Sequence, residues 1–391
     1  MSVEIKIYFI NIFIVLLLLA QSVSRTQTIT SITTSVVDTT SHQIQHTSKS
    51  SHPVTDNNLL EDDSADSNFA SLVLSQNQQE KNQQFTNGNT FKPIPLSQLD
   101  EIITGSNNLY PLQMIDGTYW LDEPDLNYGR LFTVFGGMLT VDMIAYMYQR
   151  EVWYREETTS FHTLDFNDDM KKWQYMDKIG HFTDAYFVSD LSSKLYRWSG
   201  LSGNSSVWYG ALTGMLWTLQ IEISDGFMSE WGFSWGDMLA NTMGAGFFVL
   251  QQFNYDLLGG IQPKFSWHKS DAWKEDRYYR DPGGLIEDYE GITFWLTVNI
   301  QHYIPENWKK GYPGWLAPFG IAFGYGAKGI AGNPWGGRKE FFIGMDIDLR
   351  KIPILDESGF FRFLKSELNF LRLPLPTIRI SQSGIWYGFY F

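Results

Sequence analysis

The sequence predicts an α+β protein, in which a domain of three to four packed apolar helices precedes a C-terminal antiparallel β-sheet or partial barrel. Two patterns lead to this prediction. Between residues 129 and 258, long apolar stretches carry acidic and imidazole side chains spaced four apart, which places them on one helix face. From residue 259 to residue 391, apolar residues alternate with polar or small ones, which is typical of strands.

The composition limits the classes of function that the chain can have. Of its 391 residues only 18% are charged, and so low a charged fraction favours contact with a membrane. The net charge of −14 argues against a nucleic-acid partner, because phosphate binding needs a basic surface. Cysteine is absent, which excludes disulfides, thiolate ligands, a cysteine nucleophile and the lipid-carrying cysteine of lipoproteins.

The first 99 residues are predicted to lie outside the folded domains. A short apolar run follows Lys6, ends at Ala20 and gives way to polar residues, which predicts a cleaved signal peptide over residues 1–20. An uncleaved anchor helix is the alternative. Residues 21–99 are rich in Ser, Thr, Gln and Asn, so they can bury too little apolar surface to offset their ordering entropy, and we predict a disordered linker.

The helical domain is predicted over residues 129–258. Its first apolar helix covers residues 131–149 and carries Asp142 in its middle, facing either a site or water. The next stretch places Asp177 and His181 four residues apart, so on a helix they share a face.

Two further apolar helices follow. The first covers residues 207–224, with Gly210 and Gly214 on the side that suits close packing, and Glu222 lies near its end. Asp225 comes directly after it.

Ser234 is the predicted N-cap of the last of these helices. Asp237 and Asn241 again stand four apart and share a face. Gly244 and Gly246 are expected to let a neighbouring helix approach closely.

The β-rich region is predicted over residues 259–391. Four segments alternate clearly and predict strands, at residues 293–303, 317–328, 341–350 and 385–391. The chain ends on Phe391 with apolar residues two and four positions before it, which resembles the terminal strand of outer-membrane barrels. Such a barrel needs about eight strands or more, so either further strands are hidden or the sheet is partial and covered by helices. An antiparallel sheet with one buried face is the other alternative.

Three motifs occur in the order that is characteristic of one family: Asp177-Lys178-Ile179-Gly180-His181, Glu222-Ile223-Ser224-Asp225 and Trp231 to Asn241. They resemble the signature of the YfiM-like bacterial envelope proteins (domain of unknown function 2279). Later motifs, such as residues 263–268 and 294–299, resemble the longer Bacteroidetes-type version of that family. The same polar residues are distantly similar to VanZ-like membrane proteins. The resemblance covers about residue 131 to the C-terminus and implies an exported, membrane-associated protein without an established activity.

The polar residues of these motifs have three interpretations. In the first they form a buried hydrogen-bond network that fixes the register of the helices, and its members are Asp177, Lys178, His181, Glu222, Asp225, Asp237 and Asn241. Within it, Asp177 and Lys178 are alternatively a solvated pair at the start of a helix.

The second interpretation is catalytic. His181 would be the general base, Asp177 or Asp237 the group that orients it, and Glu222 a second acid, in a hydrolase acting on envelope lipid or glycan. If a divalent metal is the cofactor, its expected ligands are His181, Glu222, Asp225 and Asp237.

The third interpretation is a binding module. The aromatic loop of residues 227–235 and the terminal sheet would contact membrane lipid or an envelope protein, with Lys178, Asn241, Trp231 and Trp235 as the binding residues. We expect the chain at the outer membrane or on the periplasmic face of the envelope. An inner-membrane protein with short spans at residues 207–221 and 238–255 is the alternative.

Overall fold

The computed structural model of the chain describes residues 94–95, 112–113, 118–120, 126–152, 154, 158–278, 282, 284–354, 359–382 and 384–390. The predicted signal peptide, all but two residues of the predicted linker, and Phe391 lie outside these residues. All of the described residues belong to one compact unit.

Helices dominate the described residues between 126 and 258. Their bounds are Tyr128–Val152 (α1), Phe166–Lys171 (α2), Met176–Trp198 (α3), Gly203–Asp225 (α4), Trp235–Phe253 (α5) and Tyr255–Leu258 (α6). The predicted apolar helices correspond to α1, α4 and α5, and the first polar motif lies on α3. The Ser234 hydroxyl accepts a hydrogen bond from the Asp237 amide at 2.9 Å, so Ser234 caps α5 as its sequence position predicts.

Glycine lets α4 and α5 pack directly on α3. A Cβ atom on Gly214 would overlap the Ser189 hydroxyl, and one on Gly244 would overlap the carbonyl of Phe182. These contacts confirm that Gly214 and Gly244 serve close approach. The expectation for Gly246 is wrong, because nothing lies within 4 Å of the position its Cβ would take.

Six strands form an antiparallel sheet after the helices, which confirms the α+β class. In chain order, which is also their order in the sheet, they are Ile261–Trp267 (β4), Ile292–Asn299 (β5), Phe319–Lys328 (β6), Arg338–Ile347 (β7), Leu375–Arg379 (β8) and Ile385–Tyr390 (β9). A separate small sheet contains Ile94–Pro95 (β1), Leu112–Gln113 (β2) and Thr118–Trp120 (β3). Short helices at Asp271–Lys274 (α7), Glu306–Lys309 (α8) and Gly359–Leu368 (α9) connect the strands.

The start of α3 packs on the large sheet. Met176 is fully buried against Ile292, Phe294 and Ile330. Farther along α3, a second apolar cluster joins Tyr186 to Phe248 of α5 and to Phe370, which follows α9. The sheet therefore supports the side of the bundle on which the polar motif of α3 begins.

One described helix is long and apolar enough to cross a membrane, namely Tyr128–Glu151 within α1. Only 17% of its apolar window is buried inside the protein. The two spans considered in the inner-membrane alternative do not meet the same criterion.

Candidate functional site

A cluster of charged side chains lies where α3 and α5 begin and α4 ends. At its centre, the Lys178 ammonium is 2.9 Å from an oxygen of Asp237, 2.9 Å from one of Asp169 and 3.1 Å from one of Asp177. Lys178 and Asp237 are both almost fully buried. A buried ammonium is tolerated only when carboxylates replace its lost hydration, and this one has three.

His181 lies one helical turn after Asp177, and its two ring nitrogens have different surroundings. Its Nδ1 is 3.2 Å from Oδ1 of Asn241 and 3.5 Å from Oε1 of Glu222. Its Nε2 is 3.8 Å from Oδ1 of Asp177 and 3.8 Å from Oδ1 of Asp237, which is too long for a hydrogen bond. The ring is thus held through Nδ1, while Nε2 faces two carboxylate oxygens across a gap.

Ser234 connects the acids of three helices. Its amide donates to Oε2 of Glu222 at 3.1 Å, and its hydroxyl donates to Oδ2 of Asp169 at 2.6 Å. Glu222 is only 1% exposed. Its other oxygen, Oε1, and Nδ2 of Asn241 have no hydrogen-bond partner within the part of the chain that the structure describes.

Two members of the cluster are not among the site residues predicted from the sequence. Asp169 lies on the short helix α2, and the Tyr289 hydroxyl, which donates to Oδ1 of Asp177 at 2.7 Å, comes from the loop before β5. Neither residue has an apolar periodic context or a fixed spacing to the other motifs, so only the fold brings them to Asp177 and Lys178.

A left-handed turn positions this end of α3. Trp173, Gln174 and Tyr175 have φ values of 55°, 53° and 67°, a conformation that costs on the order of 1–2 kcal/mol for each non-glycine residue. Hydrogen bonds hold it, since Trp173 N donates to Pro334 O at 2.7 Å and the Tyr325 hydroxyl donates to Gln174 O at 2.5 Å. The sheet and its loops therefore fix where the polar motif begins.

The charges in the cluster support one another. Burial disfavours ionisation of both Asp177 and Lys178 and is the largest single influence on each, but the attractions of the surrounding groups together outweigh it. The pKa of Asp177 is consequently lowered, with help from the charge of His181. The pKa of Lys178 is raised, with help from Asp237 and Asp169. Both groups are therefore ionised at neutral pH.

His181 and Glu222 both hold a proton at neutral pH. Burial lowers the pKa of His181, but Asp237, Asp177 and Glu222 reverse this and raise it to about 9. Burial raises the pKa of Glu222 to about 9, against the charge of His181. Burial and the charge of Asp177 raise the pKa of Asp237 to about 6. In this state His181 can donate a proton but cannot act as a general base.

Some predicted site residues lie apart from this cluster. Asp225 accepts a hydrogen bond from the Tyr154 hydroxyl at 2.9 Å, and burial raises its pKa to about 7. Asp142 of α1 accepts a hydrogen bond from Gln220 of α4, so it joins helices and not the site. Trp231 and Trp235 lie at the loop that precedes α5: the Trp231 ring lies beside the Lys172 ammonium, and Trp235 is exposed.

The donor atoms that can hold a metal ion come from Asp177, His181 and Asp237, and all lie within 4.8 Å of one another. This set differs from the predicted ligands, because Asp177 is included, Asp225 is not, and Glu222 lies on the Nδ1 side of His181. Asp177 and His181 are also the more accessible members, at 21% and 17% side-chain exposure.

The fold and the cluster together define a helical bundle with an ionised core, joined to an antiparallel sheet. Residues 166–253, from α2 to α5, match the family model described as "Predicted periplasmic lipoprotein (DUF2279)". This confirms the YfiM-like resemblance for that segment and agrees with an exported, envelope-associated protein. The description names a lipoprotein, whose lipid is carried by a cysteine thiol. The 391 residues of this chain contain no cysteine. Comparison with curated proteins and with solved structures gives no match.

Proposed function

We propose that this envelope protein is membrane-associated, that its sheet presents one face to lipid, and that the cluster around Lys178 holds the helices in register. The outer face of the sheet supports lipid contact, and the geometry of the cluster supports the structural role.

One row of side chains crosses five of the six strands, β5 to β9, on the outer face of the sheet. Cross-strand pairing places five apolar residues side by side, which we call the outer row: Leu296, Phe323, Ile343, Ile378 and Trp386. Each is between 40% and 64% exposed. Rows on either side continue the apolar surface with residues such as Ile321, Met345 and Phe341. This is the observation on which the proposal rests.

The opposite face of the same strands is buried and holds charged pairs around a cluster of aromatic side chains. Lys264 pairs with Asp346 at 2.8 Å, and Arg379 pairs with Glu340 at 2.6 Å. Arg372 stacks on Trp295 with its guanidinium carbon 3.9 Å from the ring centroid. An antiparallel sheet in water normally buries its apolar face and exposes its polar face. In this sheet the exposed face is apolar and the charged pairs lie on the buried face, as in strands that face lipid on one side.

Two helices carry exposed apolar residues of their own. On α5, Trp235, Leu239, Met243 and Leu250 are all about half exposed and recur at helical spacing. On α1, Phe132, Ile144 and Met147 are exposed to a similar or larger extent. Exposed apolar area of this extent is rare on a protein that meets only water. The alternation of β5 to β9 favours the outer membrane as the location.

The cluster is assigned a structural role because its charges are already matched. Lys178 bridges acids from α2, α3 and α5, and Ser234 joins these to Glu222 of α4. Removing any one helix would leave a buried charge without its counterpart, which is the situation that specifies a single register.

Flotation on vesicles of phosphatidylethanolamine and phosphatidylglycerol tests the lipid contact. We expect the full chain to float, and Ile343→Asp to reduce vesicle binding by about tenfold or more, because a charge would enter the lipid-facing row. Ile286→Asp is the matched control, since Ile286 is similarly exposed but lies in the loop before β5. Wild type that stays in solution, or equal losses in the two variants, would contradict the proposal.

A further inference from the structure

The gap beside Nε2 of His181 has the donor set of a metal site. We propose that Asp177, His181 and Asp237 bind one divalent cation, and that the Lys178 ammonium competes with the cation for these carboxylates. This goes beyond the structural role proposed above for the cluster, and it is independent of the proposed lipid contact.

The donor set suits a first-row divalent ion. It combines one imidazole nitrogen with two carboxylate oxygens, which zinc, iron(II) and manganese(II) all accept. Ligands about 2.0–2.2 Å from an ion lie roughly 3–3.5 Å from one another. The present separations of 3.8 Å between Nε2 and each carboxylate oxygen need only a small contraction.

The surroundings orient these donors as they do in metal sites. A metal-binding histidine usually has its second ring nitrogen held by a hydrogen bond, and Nδ1 of His181 has Asn241 in that position. Oδ1 of Asp177 is fixed by the Tyr289 hydroxyl at 2.7 Å. The helices α3 and α5 supply the three ligands, and both begin at this end of the bundle.

An unpartnered buried oxygen faces the gap. Oδ1 of Asp237, a residue that is only 5% exposed, accepts no hydrogen bond from the described residues and has the nearby charge of Lys178 as its counterpart. It lies 3.8 Å from Nε2 of His181, so both atoms border the same space. A buried carboxylate oxygen without a donor is costly, and a cation at this point would satisfy it.

Lys178 would compete with the ion for one of its ligands. Its ammonium lies 2.9 Å from the same Oδ1 of Asp237 that a cation would use, and it also contacts Asp177. A divalent ion would have to displace the ammonium from that oxygen. Removing the ammonium should therefore increase metal affinity, which a purely structural cluster does not predict.

The experiment uses the full chain in detergent, stripped with a chelator and titrated by calorimetry with Zn²⁺ alone and, separately, with Mn²⁺ or Mg²⁺ alone. We expect one Zn²⁺ per chain, weakened at least about tenfold by His181→Gln or Asn241→Ala. Lys178→Met should bind Zn²⁺ at least about tenfold more tightly than wild type and should regain melting temperature when Zn²⁺ is added. His268→Ala, outside the cluster, should bind as wild type does.

The results separate the proposal from its alternatives. If neither wild type nor Lys178→Met binds any of the three ions, the cluster is not a metal site and the inference is wrong. If His268→Ala and His181→Gln lose binding equally, the ion is held elsewhere. Vesicle flotation is measured on the same samples, so failure of the lipid contact is seen independently of failure of the metal site.

Discussion

The helical bundle and the sheet each bury a lysine, but they surround it differently. In the bundle, the Lys178 ammonium lies among three carboxylates, those of Asp169, Asp177 and Asp237. In the sheet, the Lys264 ammonium has one carboxylate, Asp346, with the Ile347 carbonyl and the Asn369 amide oxygen as neutral partners.

The pKa shifts of the two lysines go in opposite directions. Carboxylates outweigh burial around Lys178 and raise its pKa, whereas burial dominates around Lys264 and lowers its pKa. Burial also raises the pKa of Asp346, so the sheet pair can exchange its charges for neutral forms at a small cost. The bundle cannot do this, because Lys178 serves several acids at once. Register in the bundle therefore depends chiefly on the Lys178 ammonium, which is the cation that contacts three acids.

The largest effect is expected from removing that cation. Lys178→Met should lower the free energy of unfolding by about 3–5 kcal/mol, because buried carboxylates lose their counter-charge. Lys264→Met should cost less, about 1–3 kcal/mol, since Asp346 can take up a proton. Urea unfolding in detergent without added metal measures both. Equal losses of unfolding free energy in the two variants would show that the number of carboxylates around each lysine does not decide its contribution to stability.

The next test is the pH dependence of the stability, to which the bundle contributes through His181 and Glu222. The pKa of His181 is raised to about 9, so its stabilising contribution is complete below about 6.5 and is lost as pH rises through 9. Glu222, also near 9, changes stability in the same direction, and Asp177 is ionised throughout this window. We expect about 4 kcal/mol less stability at pH 9 than at pH 7, about 2 kcal/mol from His181 and about 2 kcal/mol from Glu222.

His181→Gln isolates the imidazole in that measurement. Melting temperatures at several pH values should fall less steeply between pH 7 and 9 in this variant than in wild type, because Glu222 and Asp225 continue to titrate but the imidazole is gone. An unchanged slope would show that His181 does not contribute to the pH dependence.

The smallest effects should come from two glycines of α5. Gly244→Ala should destabilise by about 1–3 kcal/mol, because its Cβ meets the backbone carbonyl of Phe182. Gly246→Ala, two residues along the same helix, should stabilise by about 0.5–1 kcal/mol, since it has open space and alanine favours helix. Thermal unfolding compares the pair. If both variants lose stability alike, close packing of α5 on α3 is not the cause.

The sequence indicates the helices and most of the site for one reason. Polar residues that interrupt or flank apolar segments are visible in the sequence, and regular helical spacing then brings them to a common face. These residues are Asp177, His181, Glu222, Asp237 and Asn241. Asp169 and Tyr289 could not be found this way, because a short helix and a loop have no periodicity from which direction can be inferred.

The strands show a different limit. The sequence predicts four of the six strands in the large sheet, and those it misses, β4 and β8, contain Pro263 and Pro376, which weaken a strand signal. Alternation also assigns residues to two faces without saying which face is buried. Only the pairing of β4 to β9 shows that the charged face lies inside and the outer row outside.

The left-handed turn before α3 constrains the length of related chains. Each residue added at the start of a helix rotates the rest of that helix by about 100°, so one insertion between Asp169 and Asp177 would turn the motif of α3 away from α5. Two hydrogen bonds also hold the turn in place. Trp173 N donates to Pro334 O, and the Tyr325 hydroxyl donates to Gln174 O. Relatives should therefore keep the length of this connection even where its side chains differ. Insertions are expected in connecting segments such as residues 304–318. The number of residues between Asp169 and Asp177 should therefore vary less among relatives than the identity of those residues.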